Sequence, residues 1–360
     1  MPRSLYLLEQ TLQERFFLRP AQCPTFALWV YGTVLAGSGC QNSVIAALLA
    51  MGNFAALRQR LREWLKDGPE KAAPCQAQID VTTCFAPLLA WAVGFAGTER
   101  AVFALDATAQ RDQLTALCVS LLFRGSALPV AWHLLVGNQK QRWKPHWNRL
   151  LCLLTAALPP GKRPLLLADR GLWSPDLFAA ARTAGFIALF RVQNTLRFAP
   201  QGYPLLLART LVPAPGCAWV GRGQAYGYGL SATLVAVWLV GQDEPCLCLS
   251  DAAPDEIEVD AYGLRMWIEA GFHNLKRFGW QWQNTRRTDP ARAMRHWLVL
   301  AVATLYTLDE GAHQEDWEPP LEGLRLLWVF RRGLKALQQR WAKGRWRQKV
   351  KLLLIPPVHR

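Results

Sequence analysis

The sequence predicts a layered α/β protein in which a mixed sheet is extended by an inserted β subdomain and flanked by helical segments at both ends. Three observations carry that expectation. Short apolar runs of strand length alternate with helical patterns between residues 100 and 192. Residues 193–250 then break this rhythm with β-type runs rich in Gly, Pro and aromatics, such as WVGRGQAYGYG. Residues 1–75 and 311–360 read as mainly helical.

Composition narrows the class. A chain of 360 residues exceeds the usual size of one core, and 51% hydrophobic residues exclude disorder over most of it. The 41 Lys and Arg outnumber the 26 Asp and Glu, for a formal charge of +15. That excess points to a polyanionic partner, with nucleic acid ahead of a membrane surface. Nine cysteines are scattered without paired zinc-site spacing and read as reduced, buried small hydrophobes. Cys246 and Cys248, two apart in PCLCLS, share one strand face, where packing is preferred over a metal. The N-terminus carries no basic-then-apolar leader, and no apolar run reaches the roughly 20 residues that span a bilayer, so a cytosolic location without membrane partners is expected.

In order, residues 1–75 form a helical unit. Ser43 is the candidate cap of a helix over 43–65 that breaks at Gly52-Asn53, and Arg58, Arg60 and Arg62 make its second half basic. Two readings stand side by side, a helix-turn-helix-like DNA contact and a packing domain with a charged face. Asp67-Gly68-Pro69 reads as a linker. Residues 76–192 open the α/β core, with a helix from Thr82 to Gly94 and a strand AVFALDA ending on Asp106. Strands over 113–124 and 127–136 complete a meander, and a helix follows from Trp143 to Leu158. PLLLAD is a second buried strand ending on Asp169, followed by a helix capped by Ser174 and the strand FIALFRV. After the insertion over 193–250, residues 251–310 complete the core with a polar-striped helix and an apolar helix from Ala291 to Leu308, led by Arg286, Arg287, Arg292 and Arg295. From Arg325 to Arg360 there are eleven Lys and Arg and no acid, interleaved with Trp328, Phe330, Trp341 and Trp346. That pattern fits a grip on a phosphate backbone, the bland counterpart being a solvated amphipathic helix.

The chemistry concentrates in AYGLRMWIEAGFHNLKRFGW, residues 261–280. At about 100° per helical residue, Tyr262, Arg265, Glu269 and Lys276 fall within one sector of roughly 60°. A carboxylate flanked by a phenol, a guanidinium and an ammonium suits phosphate handling beside a metal ion, and a solvated face with an Arg265 to Glu269 pair is the plain alternative. Asp106 and Asp169, each closing a buried strand, supply partners for Glu269. Three convergent carboxylates are the donor set for two hard divalent cations and in-line displacement at phosphorus.

Asp106 in LDAT, Asp169 in LADRG, and the spacing Tyr262-(2)-Arg265-(3)-Glu269-(6)-Lys276 resemble the DDE transposases of bacterial insertion sequences, specifically the cut-and-paste group with the Tyr-Arg-Glu-Lys signature. The resemblance covers residues 100–305, and the longer interval from Asp169 to Glu269 fits a β insertion at the same place. It implies an RNase H-like core whose first and fourth strands supply Asp106 and Asp169. It also implies catalysis by Asp106, Asp169 and Glu269 holding two Mg²⁺ or Mn²⁺ ions, and DNA contacts by the matching Tyr262, Arg265 and Lys276, beside which Arg170 and His273 are further candidate DNA contacts. Trp219 or Trp238 in the insertion is the candidate to stabilise a flipped base, with core packing as the alternative. The implied enzyme cleaves double-stranded DNA at terminal inverted repeats, uses the freed 3′-hydroxyl to cut through a hairpin and join target DNA, and acts as a homodimer on DNA in a prokaryotic, nucleoid-associated setting.

His273, four residues past Glu269, invites a metal-ligand reading, but three hard oxygen donors favour a phosphate-binding or structural histidine. Two other functions share the same residues. One is a catalytically silent DNA-binding regulator derived from such an enzyme, which would be free to lose the acids kept here. The other is a related nuclease without strand transfer, which would need neither the insertion nor the Tyr/Arg/Lys stripe.

Overall fold

The computed structural model describes residues 1–71, 77–93, 100–137, 143–158, 161, 163–227, 229–317 and 325–346, with the side chains of 315–317 and 325–328 excepted. The basic positions Arg347, Lys349, Lys351 and Arg360 lie outside the described residues, as do Cys75, Gly97-Thr98 and Tyr228.

Ten strands form one mixed sheet in the order β3-β2-β1-β4-β5-β10-β9-β8-β6-β7. The meander β1 (Val102–Gln110), β2 (Leu114–Phe123) and β3 (Ser126–Val136) is antiparallel, and β4 (Leu165–Ala168) and β5 (Ile187–Arg191) run parallel to β1. Both parallel crossovers carry a helix, α6 (Lys144–Leu154) before β4 and α7 (Pro175–Thr183) before β5. Ser174 caps α7 as its sequence position suggests, its Oγ accepting from the Leu177 N–H at 3.1 Å.

The insertion does not stand apart as a subdomain. Its strands β6 (Arg197–Pro200), β7 (Leu206–Leu207), β8 (Ala218–Ala225) and β9 (Leu230–Val237) join β10 (Cys246–Ser250), which pairs antiparallel with β5 and carries the sheet onward. Edge pairing with β5 satisfies backbone groups that a detached unit would leave to solvent. On β10 the Cys246 and Cys248 sulfurs lie 3.8 Å apart on one face as unbonded thiols.

The helical termini also differ from separate units. Helices α1 (Arg3–Arg15), α2 (Cys23–Ala36), α3 (Gln41–Ala47), α4 (Phe54–Leu65) and α5 (Phe85–Val93) share one apolar core with the sheet and with α9 (Pro290–Trp317) and α10 (Arg325–Ala342). α3 starts at Gln41, so Ser43 lies inside it rather than capping it. The break at Gly52-Asn53 is real, and Asn53 caps α4 by accepting from the Ala56 N–H at 2.8 Å. Asp67-Gly68-Pro69 is no free linker. Asp67 pairs with the buried Arg295, and Glu70 takes both 2.6 Å contacts from Arg292 Nη2, tying this turn to the start of α9.

Of the described aromatics in the basic C-terminal segment, Phe330 and Trp341 are core and Trp346 is half-buried. Phe330 and Trp341 are fully buried, and Trp341 stacks on Tyr31 of α2 at 5.2 Å, while Tyr31 Oη donates to the Trp341 carbonyl at 3.2 Å. An amphipathic helix that must cover α2 and α9 uses its aromatics for that, leaving Arg331, Lys335 and Lys343 exposed. α9 and α10 cross where Gly311 meets Val329 and Gly333 meets Thr307, so closely that a Cβ on either glycine would collide with the other helix's backbone. Gly333→Ala is therefore expected to destabilise by about 1–3 kcal/mol. In an exposed helix the same change stabilises by up to about 1 kcal/mol, so the sign of the shift in urea unfolding decides whether the crossing is this tight.

Candidate active site around Arg265

Parallel pairing places the first two acids side by side. The β1–β4 ladder ends at Leu105 opposite Ala168, so the next residue on each strand is Asp106 and Asp169. Asp169 leaves the sheet there and opens a 3₁₀ turn, as expected of a strand-terminal residue. Asp106 does not end its strand. β1 runs four residues further, pairing with β2 through Gln110 opposite Leu114. The continuation ATAQ is polar enough to read as a loop, but its Thr108 and Gln110 are buried, and Gln110 Nε2 donates to the Trp282 carbonyl at 3.4 Å.

The third acid comes from α8 (Met266–His273), and the surrounding stretch is not one regular α-helix. Residues 261–265 form a 3₁₀ turn, 266–273 are α-helical and 274–278 form a π turn. The signature survives this change of pitch. In a 3₁₀ turn side chains at i and i+3 eclipse, which stacks Tyr262 on Arg265, and the α-helical step of four aligns Arg265 with Glu269. Gly271, an unfavourable residue by propensity, has a packing reason. A Cβ there would lie 2.8 Å from the Cβ of Ala127 on β3, so only glycine lets α8 approach the sheet this closely.

The three carboxylates meet at one guanidinium. Arg265 Nη2 donates to Asp106 Oδ2 at 3.0 Å and lies 3.9 Å from Asp169 Oδ2, while Nη1 donates to Glu269 Oε1 at 3.1 Å. Tyr262 Oη donates to Asp169 Oδ1 at 3.3 Å. The Arg265 side chain is only 12% exposed, whereas Glu269 keeps 51%, so the cluster is roofed on the sheet side and reachable from the helix side. Burial pushes the Asp106 carboxyl above its ordinary value, against the opposing pull of Arg265, with Asp169 and Glu269 adding to the rise. Burial works against the charge on Arg265, and Asp106 and Asp169 outweigh it, so its pKa lies above the usual value. Burial lowers the half-buried Lys276 ammonium, Arg277 adds to this and Asp106 opposes it.

Oxygen donors of this kind suit Mg²⁺ or Mn²⁺, but among the described residues no group of three or more His, Cys, Asp or Glu is placed to hold a metal ion. The carboxylates surround Arg265 instead of a shared cavity. A planar fork can bridge several carboxylates, and here it supplies their counter-charge.

The remaining candidate residues spread out from this centre. Arg170 Nη1 donates to Glu244 Oε1 at 3.1 Å, and the same carboxylate takes Arg191 at 3.2 Å and Asn194 at 2.6 Å. Glu244 lies in the acidic turn before β10, where its sequence reads as an ordinary solvated loop, so nothing distinguished it beforehand. His273 is exposed and stacks on Phe278 at 5.7 Å, with Arg331 of α10 over the Phe278 ring at 4.9 Å. Trp219 is half-buried, edge-on to Phe198 at 5.9 Å and close over Gly221. Trp238 is half-buried at the β9 end, its Nε1 donating to the Gln242 carbonyl at 2.9 Å.

Removing Arg265 leaves Asp106 with burial and two like charges. Asp106 is expected to titrate above about 3.9, the unperturbed value, and higher still in Arg265→Gln, followed by carboxyl ¹³C NMR. Because the folded pKa is raised, the stability contributed by protonated Asp106 is complete below the unfolded pKa and lost as pH rises through the folded one. A midpoint that falls in Arg265→Gln would contradict the arrangement.

Residues 141–308 match the family model of the transposase DDE domain, a span somewhat under half of the chain. It includes Asp169, Tyr262, Arg265, Glu269 and Lys276 and leaves out Asp106. No curated protein matches the sequence. Among solved structures the chain is similar to a piggyBac transposase, in a cryo-EM synaptic complex with hairpin DNA, at 9% identity and a TM-score of 0.41, over 95% of this chain and 78% of that one. No helix among the described residues is long and apolar enough to cross a membrane.

Proposed function

We propose that this protein is a DDE transposase that cleaves double-stranded DNA at the inverted repeats of an element and transfers the freed ends into target DNA by a cut-and-paste route. The observation that carries the proposal is the meeting of Asp106, Asp169 and Glu269 at Arg265, from two strands and a helix far apart in sequence. The match of residues 141–308 to transposase DDE domains supports it from the sequence side. The strand order β3-β2-β1-β4-β5, with the acids at β1 and after β4, supports reading the core as RNase H-like.

In this reading Asp106, Asp169 and Glu269 would hold two Mg²⁺ or Mn²⁺ ions once Arg265 is drawn away from them. The chemistry such ions supply, when bound, is activation of a water or 3′-hydroxyl and neutralisation of charge on the leaving oxygen. The protein's own side chains do the positioning. Arg265, released from the carboxylates, is the nearest cation for a phosphate brought to them, and a guanidinium accepts either anion in the same forked geometry. Tyr262 fixes one Asp169 oxygen and so orients the other. Lys276, half-buried beside Asp106, adds a second cation on the DNA side. Two ends cut in concert call for a second copy of the chain, so a homodimer on DNA is part of the proposal.

Asp106→Asn, Asp169→Asn and Glu269→Gln are each expected to reduce cleavage of a duplex carrying the terminal inverted repeat by about 10³-fold or more. Binding of that duplex in a gel-shift assay should persist. EDTA should stop the wild-type reaction, with Mn²⁺ restoring it. Near wild-type cleavage by any one of the three variants would sink the three-acid site.

A further inference from the structure

A second basic site lies between the N-terminal helices and the start of α9. A cleft of about 210 Å³ is lined by Gln41 and Asn42 of α3, Arg58 and Arg62 of α4, and Arg287 and Arg292 at the entry to α9, with Lys66 at its rim. Two of these five cations are already matched: Lys66 pairs with Glu63, and Arg292 with Glu70. Among the described residues no carboxylate pairs with Arg58, Arg62 or Arg287.

Arg287 is the telling member. It is largely buried, and burial, with Arg292 beside it, lowers its pKa to about 10. Its Nε donates to His296 Nδ1 at 3.2 Å and its guanidinium lies 5.8 Å from the Trp29 ring centroid. His296 is fully buried and neutral, its pKa held well below the ordinary value by burial and then by Arg287. The guanidinium is thus fixed in place by a neutral imidazole and an indole face, with its fork at the cleft and no carboxylate matched to it among the described residues. A cation desolvated without a partner is costly, and a fork held rigid before its anion arrives recovers that cost on binding.

We propose that this cleft is a phosphodiester clamp for duplex DNA, distinct from the carboxylate site, in which Arg287 is the fixed anchor and Arg58 and Arg62 are the exposed arms. The choice of DNA over another oxyanion rests on the function proposed above. The exposed arms lie one helical turn apart on α4, a spacing that lets both reach one backbone, and Gln41 and Asn42 add neutral donors at its edge.

The test measures binding of a nonspecific 20-base-pair duplex against salt concentration, using the full chain without divalent cations. Arg58→Ala/Arg62→Ala should lower the slope of log K against log salt by about 0.9 for each phosphate that is no longer neutralised, with weaker binding at low salt. Arg287→Met, which keeps the aliphatic packing on Trp29, should do the same, and its Tm shows whether the chain still folds. Arg3→Ala, an exposed cation on α1, is the control for net charge and should leave the slope unchanged. An unchanged slope in the double variant, or an equal fall with Arg3→Ala, overturns the clamp. If inorganic phosphate raises the Tm of the wild type and not of the double variant while duplex binding is equal in both, the cleft takes a free oxyanion and the DNA assignment is overturned. Cleavage by Asp106→Asn bears only on the carboxylate site, so the two readings fail separately.

Discussion

Three carboxylates within reach of one another repel, and the architecture around them depends on the single guanidinium that answers that repulsion. Arg265 makes hydrogen bonds of 3.0 and 3.1 Å to Asp106 and Glu269 and stays 3.9 Å from Asp169. The bond to Asp106 fastens the start of α8 to β1, and that to Glu269 lies along the helix itself, so the polar centre also acts as a structural tie. Tyr262 completes it by holding Asp169 from the other side. A partly buried charge cluster of this kind is strongly destabilised when one member is removed, because the others are left unpaired.

Backbone geometry sets where the acids stand. The parallel ladder between β1 and β4 stops one residue short of Asp106 and Asp169, which frees both carboxylates at the same height on the sheet. Helix α8 reaches them only because Gly271 lets it settle against Ala127. Behind the sheet, α9 and α10 lock together at Gly311 and Gly333, and α2 closes over both through Tyr31 and Trp341. Asp106 and Glu269 therefore stand on regular elements whose positions are fixed by packing, and Asp169 on the turn directly after β4.

Much of this was legible in the sequence where a residue type admits one environment. Apolar runs marked β2 to β5 within a residue or two at each end, since only a strand buries such short stretches, and the spacing of Tyr262, Arg265, Glu269 and Lys276 pointed to a shared face. What could not be read has physical causes. Arg265 faces inward to the acids, and spacing alone says nothing about which anion a guanidinium takes. The strand extension through Gln110 was hidden because the Gln110 amide N–H finds its partner as far away as the Trp282 carbonyl. Phe330 and Trp341 of α10 resembled a DNA-facing surface, and it is Trp280 on the first and Tyr31 and Tyr306 on the second, distant in sequence, that cover them. In the same way the inserted strands gave no local sign that β10 would pair with β5.

If the protein works as proposed, the position of Arg265 would couple the entry of metal to the entry of DNA. A divalent ion arriving alone would have to displace a guanidinium already bonded to Asp106 and Glu269, leaving that buried cation without a partner. A phosphate arriving alone would meet three carboxylates and be repelled. With both present, Asp106 and Glu269 would be free to serve a metal and the guanidinium to serve the phosphate, so that no charge would be stranded in a desolvated place. Coupling of this form would make metal occupancy depend on DNA and DNA affinity depend on metal by the same factor, as linkage requires of any two ligands that share one displaced group.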